Sequence, residues 1–225
     1  MTSNKDGLTP LIEKICTIST IGLFLTGVQI CNRIYRQRTT GDISGFPFVA
    51  TMVNCTLWLL YGYVGNNSTI VIVNFIGAAL ELVYALTYLQ YTPDRNSYIR
   101  LIGMALAFLA TIAFYLLAFV SDRTTASLHA GLVASVATVI MFGSPLASLK
   151  EVVKKQSTES LSLPLCFANL IVPAEWVLYG ILINDKIVQV PNFLGAILGL
   201  IQVSLFYKYP RQSGLLPKAT NLGSI

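Results

Sequence analysis

The chain has 225 residues, of which 54% are hydrophobic and only 11% are charged, and its formal net charge is +5. Soluble domains carry about 25% charged residues, so this chain cannot cover a water-exposed surface of ordinary size. The same composition excludes a large soluble enzyme domain and a disordered chain, because disordered chains are poor in apolar residues. It predicts an all-α integral membrane protein.

Seven apolar stretches are long enough for transmembrane helices, which need about 20 residues each. The loops and tails between and beyond them are short, which leaves no soluble domain. The first stretch follows a mixed-charge segment and lacks a small-residue cleavage pattern, so we expect a helix rather than a signal peptide. The stretches lie at 12–32, 46–65, 69–90, 99–120, 127–149, 163–183 and 187–208.

The distribution of Lys and Arg predicts the orientation of the chain. Eleven of the fifteen cationic residues fall in the gaps on one side, which the positive-inside rule makes cytoplasmic. We therefore expect the amino terminus outside, the carboxyl terminus in the cytoplasm, and no nucleic-acid partner for the positive charge. The expected location is the plasma membrane, with the Golgi or another endomembrane as the alternative. The external loop 65–69 holds two glycosylation sequons, which begin at Asn66 and Asn67.

Catalytic and metal-binding patterns are missing from the sequence. The cysteines lie in or beside apolar stretches without metal-ligand spacing, so we interpret them as free, buried residues. We find no phosphate-binding glycine loop, no HExxH and no set of nucleophile, base and acid. The sequence therefore predicts no enzyme activity, no catalytic residue, no cofactor and no metal. The four cysteines are Cys16, Cys31, Cys55 and Cys166.

Two segments repeat at one separation. The sequence WLLYG at 58–62 returns as WVLYG at 176–180, and NFIGA at 74–78 returns as NFLGA at 192–196, both 118 residues later. Helices 1–3 and 5–7 are therefore duplicates, and the unpaired fourth helix gives both copies the same direction in the membrane. The predicted parts are a first three-helix repeat at 1–93, a linker helix at 94–126, a second repeat at 127–210 and a cytoplasmic tail at 211–225.

This 3+1+3 arrangement, with its WxLYG and NFxGA segments and the prolines near helices 5 and 6, resembles the SWEET (MtN3/saliva, PQ-loop type) family of sugar uniporters. The resemblance covers roughly residues 12–209. It implies two parallel repeats about an axis along the membrane normal. It also implies bidirectional, facilitated diffusion of glucose-like mono- or disaccharides by alternating access. The expected partners are a sugar and the lipid bilayer; the sequence allows a homo-oligomer without fixing the oligomeric state.

Four side chains are the candidate sugar site. Trp58 and Trp176 are the only tryptophans and occupy equivalent positions, so the pseudo-two-fold axis places them across a central space. Asn74 and Asn192 lie inside apolar helices, where an amide facing lipid without partners costs several kcal/mol. The alternatives are interfacial-belt tryptophans and asparagines that join helices. The resemblance implies that all four contact the sugar.

Pro47, Pro145 and Pro164 remove backbone hydrogen bonds and allow helices to bend. In the resembling family, four prolines act as hinges near the cytoplasmic gate. The fourth position here is Gly27, which we expect to bend without a kink and to tolerate proline. The alternative role of the other prolines is helix initiation, which fits Pro164 best.

Glu81 and Glu175 lie inside predicted spans, where a carboxylate costs about 3 kcal/mol at the helix centre. They are not equivalent in the two repeats. We favour structural hydrogen bonds to neighbouring helices over proton coupling. Two other functions remain open, a proton-coupled PQ-loop transporter of another small solute and a seven-helix receptor. The duplication and the short loops argue against a receptor.

Overall fold

The computed structural model describes residues 5–209, with the side chains of all of these except residues 5, 6 and 144. This part of the chain consists of α-helices joined by short connections. The helices are α1 (Lys5–Phe24), α2 (Thr26–Gln37), α3 (Phe46–Val64), α4 (Ser68–Tyr91), α5 (Arg95–Phe119), α6 (Arg123–Met141), α7 (Gly143–Lys155), α8 (Leu163–Leu182) and α9 (Lys186–Lys208).

Seven segments of the described chain are long and apolar enough to cross a membrane. The prediction of an all-α protein with seven spans is confirmed. Two spans are composite, since α1 and α2 form the first, Gly7–Gln37, and α6 and α7 form the fifth, Arg123–Lys155. Both are longer than the predicted stretches 12–32 and 127–149. Apolar composition marks only the membrane-buried part of a helix, whereas the backbone hydrogen bonds continue into polar sequence.

The composite spans also correct the expectation of one continuous helix in each of these places. The first span breaks at Leu25, between α1 and α2, and the fifth breaks at Phe142, between α6 and α7. Both break residues keep right-handed backbone angles, with φ of −64° and −66°, so each break is a local change of hydrogen bonding rather than a turn. The breaks lie at nearly equivalent places in the two repeats.

Helix starts follow the polar residues of the connections. The side chains of Asn67, Asp94, Asp122 and Asp185 accept hydrogen bonds from backbone N–H groups in the first turns of α4, α5, α6 and α9. These caps satisfy donors that have no partner within the helix. The α3 and α8 helices begin instead with proline in the first turn, Pro47 and Pro164 respectively.

The helices pack as two three-helix bundles with a linker. The α1/α2 span, α3 and α4 form the first bundle, and the α6/α7 span, α8 and α9 form the second. Across the interface α1 packs on α8, and α3 packs on α6. Because α1 is equivalent to α6 and α3 is equivalent to α8, these two contacts are related by the two-fold axis. The linker α5 packs on α3, α4 and α6. The predicted 3+1+3 architecture is confirmed, while the predicted tail 211–225 lies outside the described residues.

The buried core lies between the bundles, and large apolar side chains also cover the outside. Cys16, Trp58, Ala134 and Trp176 belong to one buried cluster shared by both bundles. Leu117, by contrast, is 87% exposed on the outer face of α5, as suits a surface in lipid. The upper end of the molecule is defined here by the connections at 64–68, 119–123 and 182–186, and the lower end by those at 37–46, 91–95 and 155–163.

Candidate functional site

A central cavity of about 160 Å³ lies between the two bundles. Its size exceeds the minimum for one water molecule, about 10–15 Å³. The four predicted side chains Trp58, Trp176, Asn74 and Asn192 all line this one cavity. The rest of the lining mixes apolar and small polar residues: Thr20, Phe24, Thr51, Asn54, Cys55, Ile70, Val73, Thr138, Val172 and Val188.

Each tryptophan is held by a hydrogen bond to the other bundle. Trp58 Nε1 donates to Thr138 Oγ1 at 3.0 Å, and Trp176 Nε1 donates to Thr20 Oγ1 at 2.9 Å. The two threonines are themselves 118 residues apart, so the contacts obey the repeat. With the N–H groups occupied, the indoles present carbon faces to the cavity. A flat apolar face of this kind suits the C–H groups of a ring-shaped solute.

Each indole is also fixed by a neighbouring tyrosine one turn along its helix. Trp58 meets Tyr61 edge-to-face at 5.5 Å between ring centroids, and Trp176 meets Tyr179 in the same way at 5.5 Å. Edge-to-face pairs at this distance are favourable contacts. Because a hydrogen bond and a ring contact hold each indole, its orientation is set before any solute arrives.

The two asparagines are oriented by their own helices. Asn74 Nδ2 donates to the backbone oxygen of Ile70 at 2.9 Å, and Asn192 Nδ2 donates to that of Val188 at 2.8 Å. A carboxamide has two N–H donors and one acceptor oxygen. Within the described chain, each amide therefore keeps one donor and its oxygen available at the cavity, which is the pair of functions that a hydroxyl group can bond.

The cavity is closed towards the upper end by four side chains, which we call the upper closure: Tyr61, Asn67, Tyr179 and Asp185. The Tyr61 hydroxyl donates to Asp185 Oδ2 at 2.6 Å. Asn67 Nδ2 lies 2.8 Å from the Tyr179 hydroxyl, which lies 3.1 Å from Asn67 Oδ1. Both pairs join one bundle to the other, so separating the bundles at this end breaks them.

A polar vestibule of about 410 Å³ lies outside this closure and includes Glu13 in its wall. The Asn67 side chain has two roles, because it bonds Tyr179 in the closure and its oxygen also accepts from the Ile70 N–H at 3.0 Å as the cap of α4. Asn66, the other predicted glycosylation acceptor, is exposed.

The candidate hinge residues lie outside the lining of the cavity. Gly27 is in the first turn of α2, and Pro145 is in the first turn of α7, just after the break at Phe142. Gly27 is buried against Tyr84, and a β-carbon there would lie 2.7 Å from Tyr84 Cδ2 and closer still to Cε2. Proline at position 27 would therefore require the Tyr84 ring to move, which the expectation of a tolerated proline did not take into account. The sequence alone could not reveal the ring, which comes from another helix.

The two intramembrane acids also lie away from the central cavity. The Ser19 hydroxyl of α1 donates to the Glu175 carboxylate of α8. Glu81 is 7% exposed, and its Oε2 has no hydrogen-bond partner in the described residues. Within the described residues no three His, Cys, Asp or Glu side chains are placed to hold a metal ion. The four cysteines are free thiols.

Sequence reasoning missed several of these residues. The upper closure was not predicted, although the sequence carried a signal for it. Tyr61 and Tyr179 belong to the WxLYG segments, and Asn67 and Asp185 are 118 residues apart. Asn54 was missed as well; its Oδ1 accepts from the Thr138 hydroxyl at 2.9 Å. Its equivalent is Val172, so no repeated motif marked it.

A duplicated seven-span bundle that encloses a polar and aromatic cavity, with bonds between the repeats closing one end, defines a membrane transporter of small solutes. The family model described as "Sugar efflux transporter for intercellular exchange" matches residues 10–96 and 129–214 of this chain. The chain thus belongs to the SWEET family of sugar transporters, which are not enzymes, and the resemblance noted from the sequence is confirmed.

Individual relatives support the same assignment. The chain is 38% identical to the sugar transporter SWEET1 of Drosophila pseudoobscura pseudoobscura, over 90% of both chains. It is 34% identical to the sugar transporter SWEET1 of Homo sapiens, over 91% of this chain and 93% of the relative. A solved structure of a eukaryotic SWEET transporter superposes with a TM-score of 0.84 at 28% identity, covering 90% of this chain and 97% of that one.

Proposed function

We propose that this protein is a bidirectional uniporter of glucose-like mono- or disaccharides that works by alternating access between its two repeats. The observation that carries the proposal is the central cavity, where Trp58, Trp176, Asn74 and Asn192 meet as two symmetric pairs. Among the described residues that line the cavity none is Asp, Glu, Lys, Arg or His, which suits an uncharged, polyhydroxylated solute. The relatives named above as sugar transporters support the same substrate class.

In the proposed complex the sugar lies between the two indole faces. Its C–H groups contact the aromatic carbons, and its hydroxyls bond to the free donor and oxygen of Asn74 and Asn192. These hydrogen bonds replace bonds that the sugar makes to water, so their net contribution to the free energy of binding is small. We expect a dissociation constant of about 1 mM, which is roughly −4 kcal/mol. Weak binding also allows release on either side.

The upper end is the external one in this proposal, because most of the Lys and Arg residues in the described part of the chain lie at the lower end. The upper closure then shuts the cavity from the outside. Opening to the outside requires the loss of the Tyr61–Asp185 and Asn67–Tyr179 hydrogen bonds between the bundles. Gly27, Pro47, Pro145 and Pro164 are the proposed hinges, and the plasma membrane or an endomembrane is the proposed location.

One observation favours a second candidate, a proton-coupled transporter. Glu81 is a buried acid with an unpartnered oxygen inside a membrane span, and such residues often serve proton relays. It does not line the cavity, however, and the other intramembrane acid is bonded to Ser19. Uniport is therefore the function that the geometry supports best.

Uptake of labelled glucose into proteoliposomes, with and without an imposed pH gradient, separates the two functions. Uniport predicts uptake that stops when internal and external glucose are equal, whatever the gradient. Accumulation above the external concentration that is driven by a pH gradient would contradict uniport and support proton coupling. If correctly folded protein took up neither glucose nor a disaccharide, the proposal that these sugars are its substrates would be contradicted.

A further inference from the structure

The two composite spans break at nearly equivalent positions but for different chemical reasons. The fifth span breaks at Phe142, three residues before Pro145. The first span breaks at Leu25, and the residue equivalent to Pro145 is Gly27, which keeps its N–H group. Something other than proline must therefore account for the break in the first repeat.

Pro145 explains the break in the second repeat. Proline has no N–H, so the carbonyl of Met141 receives no hydrogen bond from the residue four positions later. The Phe142 N–H donates to the Val139 oxygen at 3.1 Å, three residues back. Regular spacing then resumes, since the Leu146 N–H donates to the Phe142 oxygen at 3.0 Å.

In the first repeat a side chain takes the place of a backbone donor. The Val28 N–H donates to the Leu25 oxygen at 3.1 Å, three residues back. The carbonyl of Phe24, which Val28 would serve in a regular helix, accepts instead from the hydroxyl of Tyr84 at 3.2 Å. At this break the freed oxygen is thus satisfied by a donor from α4, 60 positions along the chain.

Tyr84 also occupies the space that a side chain at position 27 would need. Its ring lies so close to Gly27 that a β-carbon there would force the ring to move, and Tyr84 is only 3% exposed. Phe48 packs against the same ring, at 5.9 Å between centroids. In the second repeat the equivalent of Tyr84 is Gln202, which is buried as well. The contacting residues Gly27 and Tyr84 of the first repeat thus correspond in sequence to Pro145 and Gln202 of the second.

We propose that Tyr84 is the positioning residue of the first hinge, where the Tyr84–Gly27 pair does what Pro145 does in the second repeat. The hydroxyl stabilises the helix break by bonding the Phe24 oxygen, and the ring requires glycine at position 27. Phe24 lines the central cavity, so the break lies beside the site. The consequence for transport rests on the proposed alternating-access function, whereas the pairing itself does not.

Exchange of the pair tests the proposal. Gly27→Pro alone is expected to lower the melting temperature and the glucose transport rate, because the proline ring overlaps Tyr84. The double variant Gly27→Pro/Tyr84→Gln carries the residues of the second repeat at both positions, and it is expected to recover the melting temperature and the transport rate. A double variant that melts no higher than Gly27→Pro overturns the pairing. Melting requires no transport, so this result stays informative if the proposed function fails.

A milder substitution tests the role of the Tyr84 hydroxyl. Tyr84→Phe keeps the ring and removes the bond to Phe24, and we expect the maximal transport rate to change by about 2- to 10-fold, the effect of one net hydrogen bond. The apparent KM for glucose should stay the same, because Tyr84 does not line the cavity. The control is Tyr88→Phe on the same helix, which removes the bond that the Tyr88 hydroxyl donates to the Ile43 oxygen in the connection between α2 and α3. Equal rates for the two variants would overturn the positioning role.

Discussion

At the central cavity the two repeats share the tryptophan, asparagine and hydrogen-bonded threonine of each half, but they differ in the helices behind it. Trp58 and Trp176 each bond a threonine of the opposite bundle, at 3.0 and 2.9 Å. Behind the cavity, Gly27 corresponds to Pro145 and Glu81 corresponds to Gly199. In the proposed complex the residues that bond the sugar face it from both halves, whereas each proposed hinge acts within its own bundle. The symmetry of the site therefore does not require symmetry of the hinges.

The strongest test of the symmetric site is the loss of either asparagine. Asn74→Ala or Asn192→Ala removes a donor and an acceptor from the cavity, so we expect each to lower glucose uptake at least about 10-fold. Surface expression should be unchanged, as a labelling assay would verify. Asn96→Ala, at an exposed position of α5, is the matched control. Near-normal uptake in both cavity variants would refute the binding role.

The next largest effect is expected from loss of a tyrosine hydroxyl in the upper closure, where the two repeats differ in the group that the tyrosine bonds. Tyr61 bonds a carboxylate and Tyr179 bonds an amide, and hydrogen bonds to charged groups contribute about 1.5–3 kcal/mol against about 0.5–1.5 kcal/mol for neutral ones. Tyr61→Phe should therefore open the upper end more often than Tyr179→Phe.

Cys55 provides the measurement of this opening, since it lines the cavity and is 2% exposed. An impermeant thiol reagent applied outside should label it faster in Tyr61→Phe than in Tyr179→Phe, and faster in both than in the parent. A Cys55→Ala background measures labelling of other cysteines. Equal labelling in the parent and both variants would mean that these bonds do not control external access.

A smaller effect is expected from the indole N–H groups. Trp58→Phe and Trp176→Phe keep an aromatic face but lose the bonds to Thr138 and Thr20. One net hydrogen bond corresponds to about 2- to 10-fold in uptake. The two variants should lie within about 2-fold of each other. A loss confined to one of them would show that only one face of the cavity contacts the sugar.

The smallest effect is expected at Glu81 and Glu175, neither of which has an acidic equivalent in the other repeat. Glu81→Gln and Glu175→Gln keep the shape of the side chain and remove the ionisable group. Uniport predicts uptake within about 2-fold of the parent in both, with no response to a pH gradient. A parent response to the gradient that disappears in Glu81→Gln would replace uniport by proton coupling.

The spans and the duplication were predictable because a membrane requires long apolar stretches and because two motifs recur 118 residues apart. The same symmetry argument brought both tryptophans and both asparagines to one place. The break at Leu25 was not predictable, since it depends on a hydrogen bond from Tyr84 on another helix. Thr20 and Thr138 were also missed, because single threonines in apolar helices usually bond their own backbone.

Intrinsic fluorescence tests the central claim most directly, because Trp58 and Trp176 are the only tryptophans in the chain and both line the cavity. Titration of the purified protein with glucose should change the emission saturably, with a midpoint of about 1 mM. The change should disappear in Asn74→Ala/Asn192→Ala. Emission that stays constant at glucose concentrations that saturate uptake would contradict a sugar bound between the two indoles.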